Sequence, residues 1–498
     1  MELLEQCERW LEADDYHRVI VTLEALPDED LTAELKLVLG RAYIGLAKYS
    51  KVSDRVLYEK ALSLFKTFGP EYDEHTGVVF GLAMAYFGLD QDSRALTCAE
   101  KLTQWVPDKK VFKELKKNCR GIVSVPLALR PFSQRVHDMW REFEEKDLEI
   151  RTAMAGKSPE DAEAIVREAC QAIFKIAFTE IEFSVLVYGV SIQIIFPLET
   201  SRLLARKLEY CLRAAPASIL EHWYFTLGVP ANPYSLIQVS GVIVDPNQVQ
   251  VWFAKDDPED DTYSLEVFFE PLNKLKFVQD PQRYILYRSI AQEIGEVAFM
   301  NYVGHFGVLD APKDTPPILL SQLPEEMESL GLSLDVDIKT FLEERGSAYR
   351  IDPKQVKQGN GFRRDILLGR TLHMPLLDDY TNGETTHFDL LYDDGIVAGF
   401  FVFNLGGFEL NKGAEKFVRF IQTFKEVFST PDAQSFMTVT GDAIGQDFGY
   451  IDIIAWDLKK ALEQCEAFFS ESDLKFVAFK VFRQGCDPVG IKDTTKSE

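Results

Sequence analysis

Between Thr76 and Lys109 the chain carries a spacing that predicts two helices nested against each other. Leu82-Ala83-x-x-Tyr86 falls on the first helix, Ala95 and Ala99 on the second, and Pro107 closes a unit of ~34 residues. Helices joined by a tight turn approach closely only where side chains are short, as at Ala83, Ala95 and Ala99. Leu82, Tyr86 and Leu102 fill the gaps that remain. The feature specifies a packing mode and is silent about a reaction.

Weaker copies precede it. Asp14-Asp15-Tyr16 begins a helix with Val19 and Leu23 at the positions of Ala95 and Ala99. Another unit starts near Ala33, with Leu39-Gly40-x-x-Tyr43 on its first helix and Tyr58, Ala61 and Phe65 on its second. Extra residues around Ser50 to Arg55 stretch the separation of Tyr43 from Tyr86 to 43 residues, and Lys36 stands where a large apolar side chain is usual. The expectation is about two and a half units and a closing helix, a stack too short to cover its own ends and bound to lean on the rest of the chain.

A chain of 498 residues divides into several cores, and 46% hydrophobic and 12% aromatic residues supply them. The 79 acidic against 54 basic residues give a net charge of -25, a field that repels phosphate backbones and anionic lipid. Neither nucleic acid nor a membrane is therefore an expected partner. The one basic run, Lys109, Lys110, Lys113, Lys116, Lys117 and Arg120, interleaves with Val111, Phe112 and Leu115 and reads as the solvated face of an amphipathic closing helix. Seven cysteines without a CxxC pair suit a reducing compartment. No basic segment followed by a long apolar run opens the sequence, and the apolar stretch Ile396 to Phe403 is far shorter than the ~20 residues of a membrane helix. A cytoplasmic protein is the expectation.

The fold class expected is multidomain: an all-α helical-repeat domain over 1-125, then an α+β region. That region divides into an α+β domain at 130-308, a Pro-rich linker at 309-335, a second α+β domain at 336-487 and a disordered tail at 488-498. Ser158-Pro159 starts a helix, with Ser158 as N-cap. Alternating residues from Phe183 to Phe196 predict a hairpin, and further strands fall at Trp223–Leu227, Val249–Phe253 and Leu265–Phe269, the last two joined by the charged turn Asp256 to Asp261. Asp280-Pro281 starts a helix. Phe388 to Tyr392 and Ile396 to Phe403 read as a second hairpin about Asp393-Asp394-Gly395, followed by helices and strands to Phe482. Hairpin, helix, strands, helix in both halves suggests two related α+β subdomains, at about 175 to 305 and 380 to 485.

Chemistry is sparse. There is no phosphate-cradling GxxxxGK[ST], no GxGxxG opening a helix, no HExxH and no GxSxG, and Gly359-Asn360-Gly361 reads as a turn. No two of the seven histidines stand at i, i+4, so neither a metal nor a cofactor is expected. His387 with Asp389 and Asp393 could form an acid–base group, although strand alternation places His387 and Asp389 on a solvent face. Glu293 and Glu296 read as a solvated i, i+3 pair, and Trp223, Trp252 and Trp456 as core.

With the repeat unit, Arg130-Pro131-Phe132, Leu220-Glu221-His222-Trp223, Val308-Leu309-Asp310-Ala311-Pro312-Lys313 and Gly449-Tyr450-Ile451-Asp452 in view, the chain resembles a group of bacterial cytoplasmic tetratricopeptide-repeat (TPR) proteins with a large α+β C-terminal region of unassigned activity. The resemblance implies partner binding along the first helices of the units. By position it assigns that surface to Glu34, Arg41, Ile44, Phe80, Met84 and Phe87. The function expected is a non-enzymatic interaction protein, an adaptor or an immunity-like neutraliser, whose acidic surface suits a basic protein or peptide partner. The alternative is a hydrolase with a site near His387.

Overall fold

The computed structural model describes residues 2–49, 55–127, 130–189, 191–232, 236–239, 242–255, 262–273, 279–351, 362–364, 366–406, 408 and 415–494. The expected insertion at Ser50 to Asp54, the turns at Asp256 to Asp261 and Gly359-Asn360-Gly361, and the last four residues lie outside them.

Helices α1 (Glu2–Glu12), α2 (Tyr16–Glu24), α3 (Ala33–Tyr49), α4 (Arg55–Lys66), α5 (Thr76–Gly88), α6 (Asp92–Trp105) and α7 (Lys110–Ser124) follow one another, each packed on the next. In addition α1 packs on α3 and α3 on α5, so alternate helices form a row. The short residues act as their spacing predicts: Ala83, Ala95 and Ala99 are fully buried. Phe65 is the wedge between units, because a Cβ at Gly40 or at Gly81 would lie 2.5 or 2.3 Å from its ring. Only glycine lets both backbones close on that ring.

Next come α8 (Phe132–Met154), α9 (Pro159–Phe174), β1 (Ser184–Tyr188), β2 (Ser191–Phe196), α10 (Arg202–Arg213), α11 (Ala217–Leu220) and β3 (Trp223–Leu227). Ser158 caps α9 as expected, its Oγ accepting from Asp161 N at 3.2 Å. Strands β1, β2 and β3 form a three-stranded sheet in which β1–β2 is antiparallel and β2–β3 parallel. Phe143 and Trp223 meet edge to face beneath it, their ring centres 4.7 Å apart.

After the two-stranded ribbon β4 (Ile237–Val239) and β5 (Val242–Val244) come β6 (Gln250–Lys255), β7 (Tyr263–Phe268), α12 (Glu270–Asn273), α13 (Gln279–Ile294), α14 (Glu296–Tyr302), β8 (Val303–Val308), β9 (Ile318–Leu319), α15 (Leu323–Ser329) and α16 (Ile338–Glu344). A second sheet takes the order β8-β7-β6-β9. The segment expected as a Pro-rich linker contributes β9 and α15 to this layer, with Leu320, Leu323 and Met327 fully buried. Pro316-Pro317 precede β9 and Pro324 stands in the first turn of α15, while the residues between them pack.

The last part comprises β10 (Ser347–Tyr349), β11 (Ile366–Thr371), α17 (Met374–Asn382), α18 (Thr386–Tyr392), β12 (Val397–Asn404), α19 (Glu415–Phe428), α20 (Pro431–Gln434), β13 (Met437–Gly445), β14 (Phe448–Ala455), α21 (Leu458–Ser470), β15 (Phe476–Val481) and β16 (Val489–Asp493). One sheet of seven strands runs β10-β11-β13-β14-β12-β15-β16. Strand β12, between β14 and β15, is buried on both faces, which explains the unbroken apolar run there. Phe401 meets Phe424 of α19 and Phe469 of α21, while Phe400 meets Tyr380 of α17 on the opposite face.

Three expectations are corrected. Phe388 to Tyr392 is helix α18, not a strand, because Phe388, Leu391 and Tyr392 are buried at the i, i+3, i+4 spacing of a helix. The chain beyond Pro488 continues as β16, paired with β15, as far as Asp493. The two α+β halves also differ in topology, since mixed sheets of three and four strands precede a sheet of seven that is antiparallel from β11 through β16.

The chain is thus a multidomain protein with an N-terminal helical region and an α+β remainder. It clusters into two compact units, one of Met1–Ser133 with Ala348–Glu498 and one of Gln134–Ser347. In the first, the stack does lean on the chain that follows, with α6 packed on α18 and α7 on β15. No helix among the described residues is long and apolar enough to cross a membrane.

Candidate functional site

Helix α7 presents Lys113, Lys116, Lys117 and Arg120 at i, i+3, i+4 and i+7, which places all four on one face. Its other face is anchored by Phe112, Leu115 and Cys119, all buried. The cationic face looks onto α6. Between the two helices, and closed at one end by Pro107 and Asp108, runs an open groove of about 1090 Å³.

The lining holds five cations, Lys101, Lys113, Lys116, Lys117 and Arg120, against three carboxylates, Glu100, Asp108 and Asp487. Two of the carboxylates are already engaged. Glu100 Oε2 accepts from Arg483 Nη2 at 3.1 Å, and Asp487 pairs with Arg120. Asp108 lies 3.9 Å from Lys113, a contact that water screens. Lys101, Lys116 and Lys117 have no ion pair among the described residues. An excess of positive charge in a concave site on a chain of net charge -25 is suited to an anionic segment.

The side of the groove that faces the sheet is rigid. Arg483 is 2% exposed and donates to Ser93 Oγ at 3.0 Å and to Thr97 Oγ1 at 3.1 Å as well as to Glu100. Arg94 Nε donates to Asp393 Oδ2 at 2.7 Å, tying α6 to the turn after α18. Burial pushes the Asp393 carboxyl up to about 6 despite that arginine, and burial with the neighbouring Asp90 does the same to Asp92.

The surface assigned by position is only partly open. Glu34 and Arg41 are exposed. Ile44 is 7% exposed and belongs to the buried cluster that includes Cys7 and Leu11 of α1. Phe80 lies 5.4 Å from the ring of Phe112, Met84 packs against the stack core, and Phe87 is half-buried. Counting by repeat position does not register that α1 and α7 cover the ends of the row.

His387 pairs with neither carboxylate proposed for it. Its Nδ1 lies 3.0 Å from Asp379 Oδ1 and its backbone N–H donates to Asp379 Oδ2 at 2.6 Å, an arrangement that raises the imidazole pKa. Asp389 instead accepts from Thr385 Oγ1, and Asp393 from Arg94. No hydroxyl or thiol among the described residues is hydrogen-bonded to His387. The thiols are poor nucleophiles as well: burial raises Cys98 to about 11 and Cys119 to about 12.

Glu293 and Glu296 are not a solvated pair, since each is 1% exposed. Gly295, at φ 83°, ends α13 between them. Glu296 accepts from Leu198 N at 3.0 Å, from Val229 N at 2.8 Å and from the Tyr287 hydroxyl. Trp223, Trp252 and Trp456 are buried, each indole N–H bonded within the protein. Among the described residues no group of three or more His, Cys, Asp or Glu could hold a metal ion. Searches with this chain match no protein-family model, no curated protein and no solved structure.

Proposed function

We propose that the chain is a non-enzymatic interaction protein, an adaptor or a partner-neutralising protein, whose helical stack is of the TPR kind and acts in a reducing cytoplasm. The observation that carries this reading is the groove of α6 and α7, where three lysines have no carboxylate partner and the wall behind them is braced by Arg483. Stacks of helix pairs serve as peptide-binding scaffolds, and here the open groove lies between the second helix of the last unit and the closing helix.

The charge of the groove refines the partner. Net charge alone favours a basic partner, but a field from the whole chain is screened within ~8 Å at physiological salt, so the groups that touch a ligand decide the contact. At the groove those groups are Lys101, Lys116 and Lys117, and they select an acidic segment of the partner protein. The acidic remainder of the surface then excludes most other anionic macromolecules from approaching elsewhere.

The test is affinity capture from native cell extract at low salt, with the full chain and a Lys101→Glu/Lys117→Glu variant as parallel baits. A stoichiometric partner with an acidic segment, held by the wild type and lost by the variant, is the expected result. Equal capture by both baits, or no stoichiometric partner on the wild type, would count against the reading.

A further inference from the structure

In the unit of Gln134–Ser347, the two residues before Ser201 stand in the left-handed region, Glu199 at φ 48° and Thr200 at φ 64°. Two consecutive non-glycine residues there, one of them β-branched, are strained and persist only where their surroundings hold them. The hold is visible on both sides. Leu198 N–H donates to the buried Glu296 carboxylate at 3.0 Å, and Ser201 N–H donates to Leu198 O at 2.8 Å. Ser201 then caps α10 by accepting from Leu204 N at 3.2 Å.

This strained turn lines the mouth of an open cavity of about 630 Å³, a size within the range of small-molecule sites. Arg202 and Arg283 both line it, and each guanidinium lies over an aromatic face, Arg202 4.6 Å from the centre of Phe341 and Arg283 4.6 Å from the centre of Phe306. Stacking holds a guanidinium by its flat face and leaves its N–H edge available to an acceptor. Arg202 Nη2 donates to the carbonyls of Phe341 at 2.6 Å and Leu342 at 3.1 Å, while its buried Nε has no partner. No carboxylate pairs with Arg202 or Arg283 among the described residues. The one carboxylate of the lining, Glu199, is exposed at the mouth, so two cations outnumber one screened anion.

The environment makes this charge costly as it stands. Burial, with the like charges of Arg206 and Arg345, lowers the Arg202 pKa to about 10. An anion bound beside the two guanidinium groups would offset both effects. The walls add the second half of the specificity: Tyr284 is 44% exposed, and the Tyr287 ring lines the cavity while its hydroxyl is committed to Glu296. Flat aromatic surfaces beside two guanidinium groups that have no carboxylate partner suit a ring that carries a charged group.

We infer that this cavity binds a small planar aromatic anion, a ring bearing a phosphate or a carboxylate, clamped between Arg202 and Arg283 with its ring against Tyr284. The site is separate from the groove of α6 and α7, and its occupancy does not depend on the function proposed there.

The test is calorimetric titration of the full-length chain with adenosine monophosphate, phenyl phosphate and 4-hydroxybenzoate, alongside adenosine, phenol and inorganic phosphate. Saturable binding of at least one of the three aromatic anions, with none for the three controls, is expected. The phosphate and carboxylate arms distinguish which headgroup the arginines prefer. Arg283 is exposed and its contact is a ring face, so Arg283→Glu should keep the wild-type melting temperature and weaken binding by about tenfold or more, while Arg283→Lys weakens it less. Failure of all three aromatic anions to saturate the chain at roughly 10 mM, inorganic phosphate binding as tightly as they do, or unchanged affinity in Arg283→Glu would overturn the inference.

Discussion

Arg483 Nη2 lies 3.1 Å from Glu100 Oε2, and that bond joins the seven-stranded sheet to the helix that forms one wall of the lysine groove. The arginine side chain is 2% exposed and the glutamate 36%, so the pair is worth more than a surface contact. It also withdraws a carboxylate that would otherwise pair with the groove lysines. Glu100→Ala should leave the Arg483 charge buried with only hydroxyl partners and lower stability by roughly 2–3 kcal/mol in denaturant titration. A loss below about 0.5 kcal/mol would mean that the hydroxyls of Ser93 and Thr97 suffice to hold the arginine.

Packing of the stack on Phe65 leads to a second expectation. A Cβ at Gly81 would lie only 2.3 Å from the tip of the ring, and one at Gly40 2.5 Å from the same atom, so the ring is close to both backbones. Gly81→Ala should destabilise by about 1–3 kcal/mol, and combining it with Phe65→Leu should cost less than the sum of the two single changes. Strict additivity in thermal or denaturant unfolding would show that the residues do not compete for one space.

Glu293 gives the protein a pH dependence of defined sign. Burial raises its carboxyl to about 7 and neither oxygen has a partner. In the unfolded chain it titrates near 4.5, so the folded state binds the extra proton between those values and stability falls as pH rises from about 4.5 to about 7, then levels. The drop amounts to roughly 3 kcal/mol. Glu293→Gln should remove that slope, with its largest stabilisation relative to wild type above pH 7 and none near pH 4.5. The check is denaturant unfolding of both proteins at a series of pH values.

Arg363 and Asp452 are 0% and 1% exposed, with Nη2 and Oδ2 3.0 Å apart and a second bond between Nη1 and Oδ1. Arg363 reaches this position at φ 72° and is surrounded by Phe400, Tyr450 and Phe482. Asp452→Asn leaves a buried cation without its anion and should cost about 3–5 kcal/mol, whereas Arg363→Met with Asp452→Leu should cost far less. Equal losses in the two variants, measured by chemical unfolding, would mean that the pair acts through shape and not charge.

Much of this architecture was readable from local pattern. Ala83, Ala95 and Ala99 predicted the nested helices, and Ser158-Pro159 predicted a cap that forms. Trp223–Leu227 is a strand with the bounds its alternation predicted. Reading failed where a short segment fits two periods: Phe388, Leu390 and Tyr392 fit a strand as Phe388, Leu391 and Tyr392 fit a helix, and the tie is broken by packing that a sequence does not display. Glu296 failed for a related reason, since Gly295 ends α13 and the next helix begins with Glu296 buried. The groove was half legible. The lysine spacing on α7 was plain, but Arg483 and Asp487 come from more than 350 residues away and nothing local announces them. The aromatic cavity was not legible at all, because Arg202, Arg283 and Phe341 meet only through the tertiary fold.

The central claim is that the groove of α6 and α7 recognises acidic chain through lysines that have no partner of their own. Fluorescence anisotropy of a labelled oligoglutamate peptide, titrated with the wild type and with Lys101→Glu/Lys117→Glu, tests it most directly. Saturable binding by the wild type that weakens with added salt, and a dissociation constant at least about tenfold higher in the variant, is the predicted result. Binding of oligolysine in place of oligoglutamate, or equal affinity in the two proteins, would contradict it.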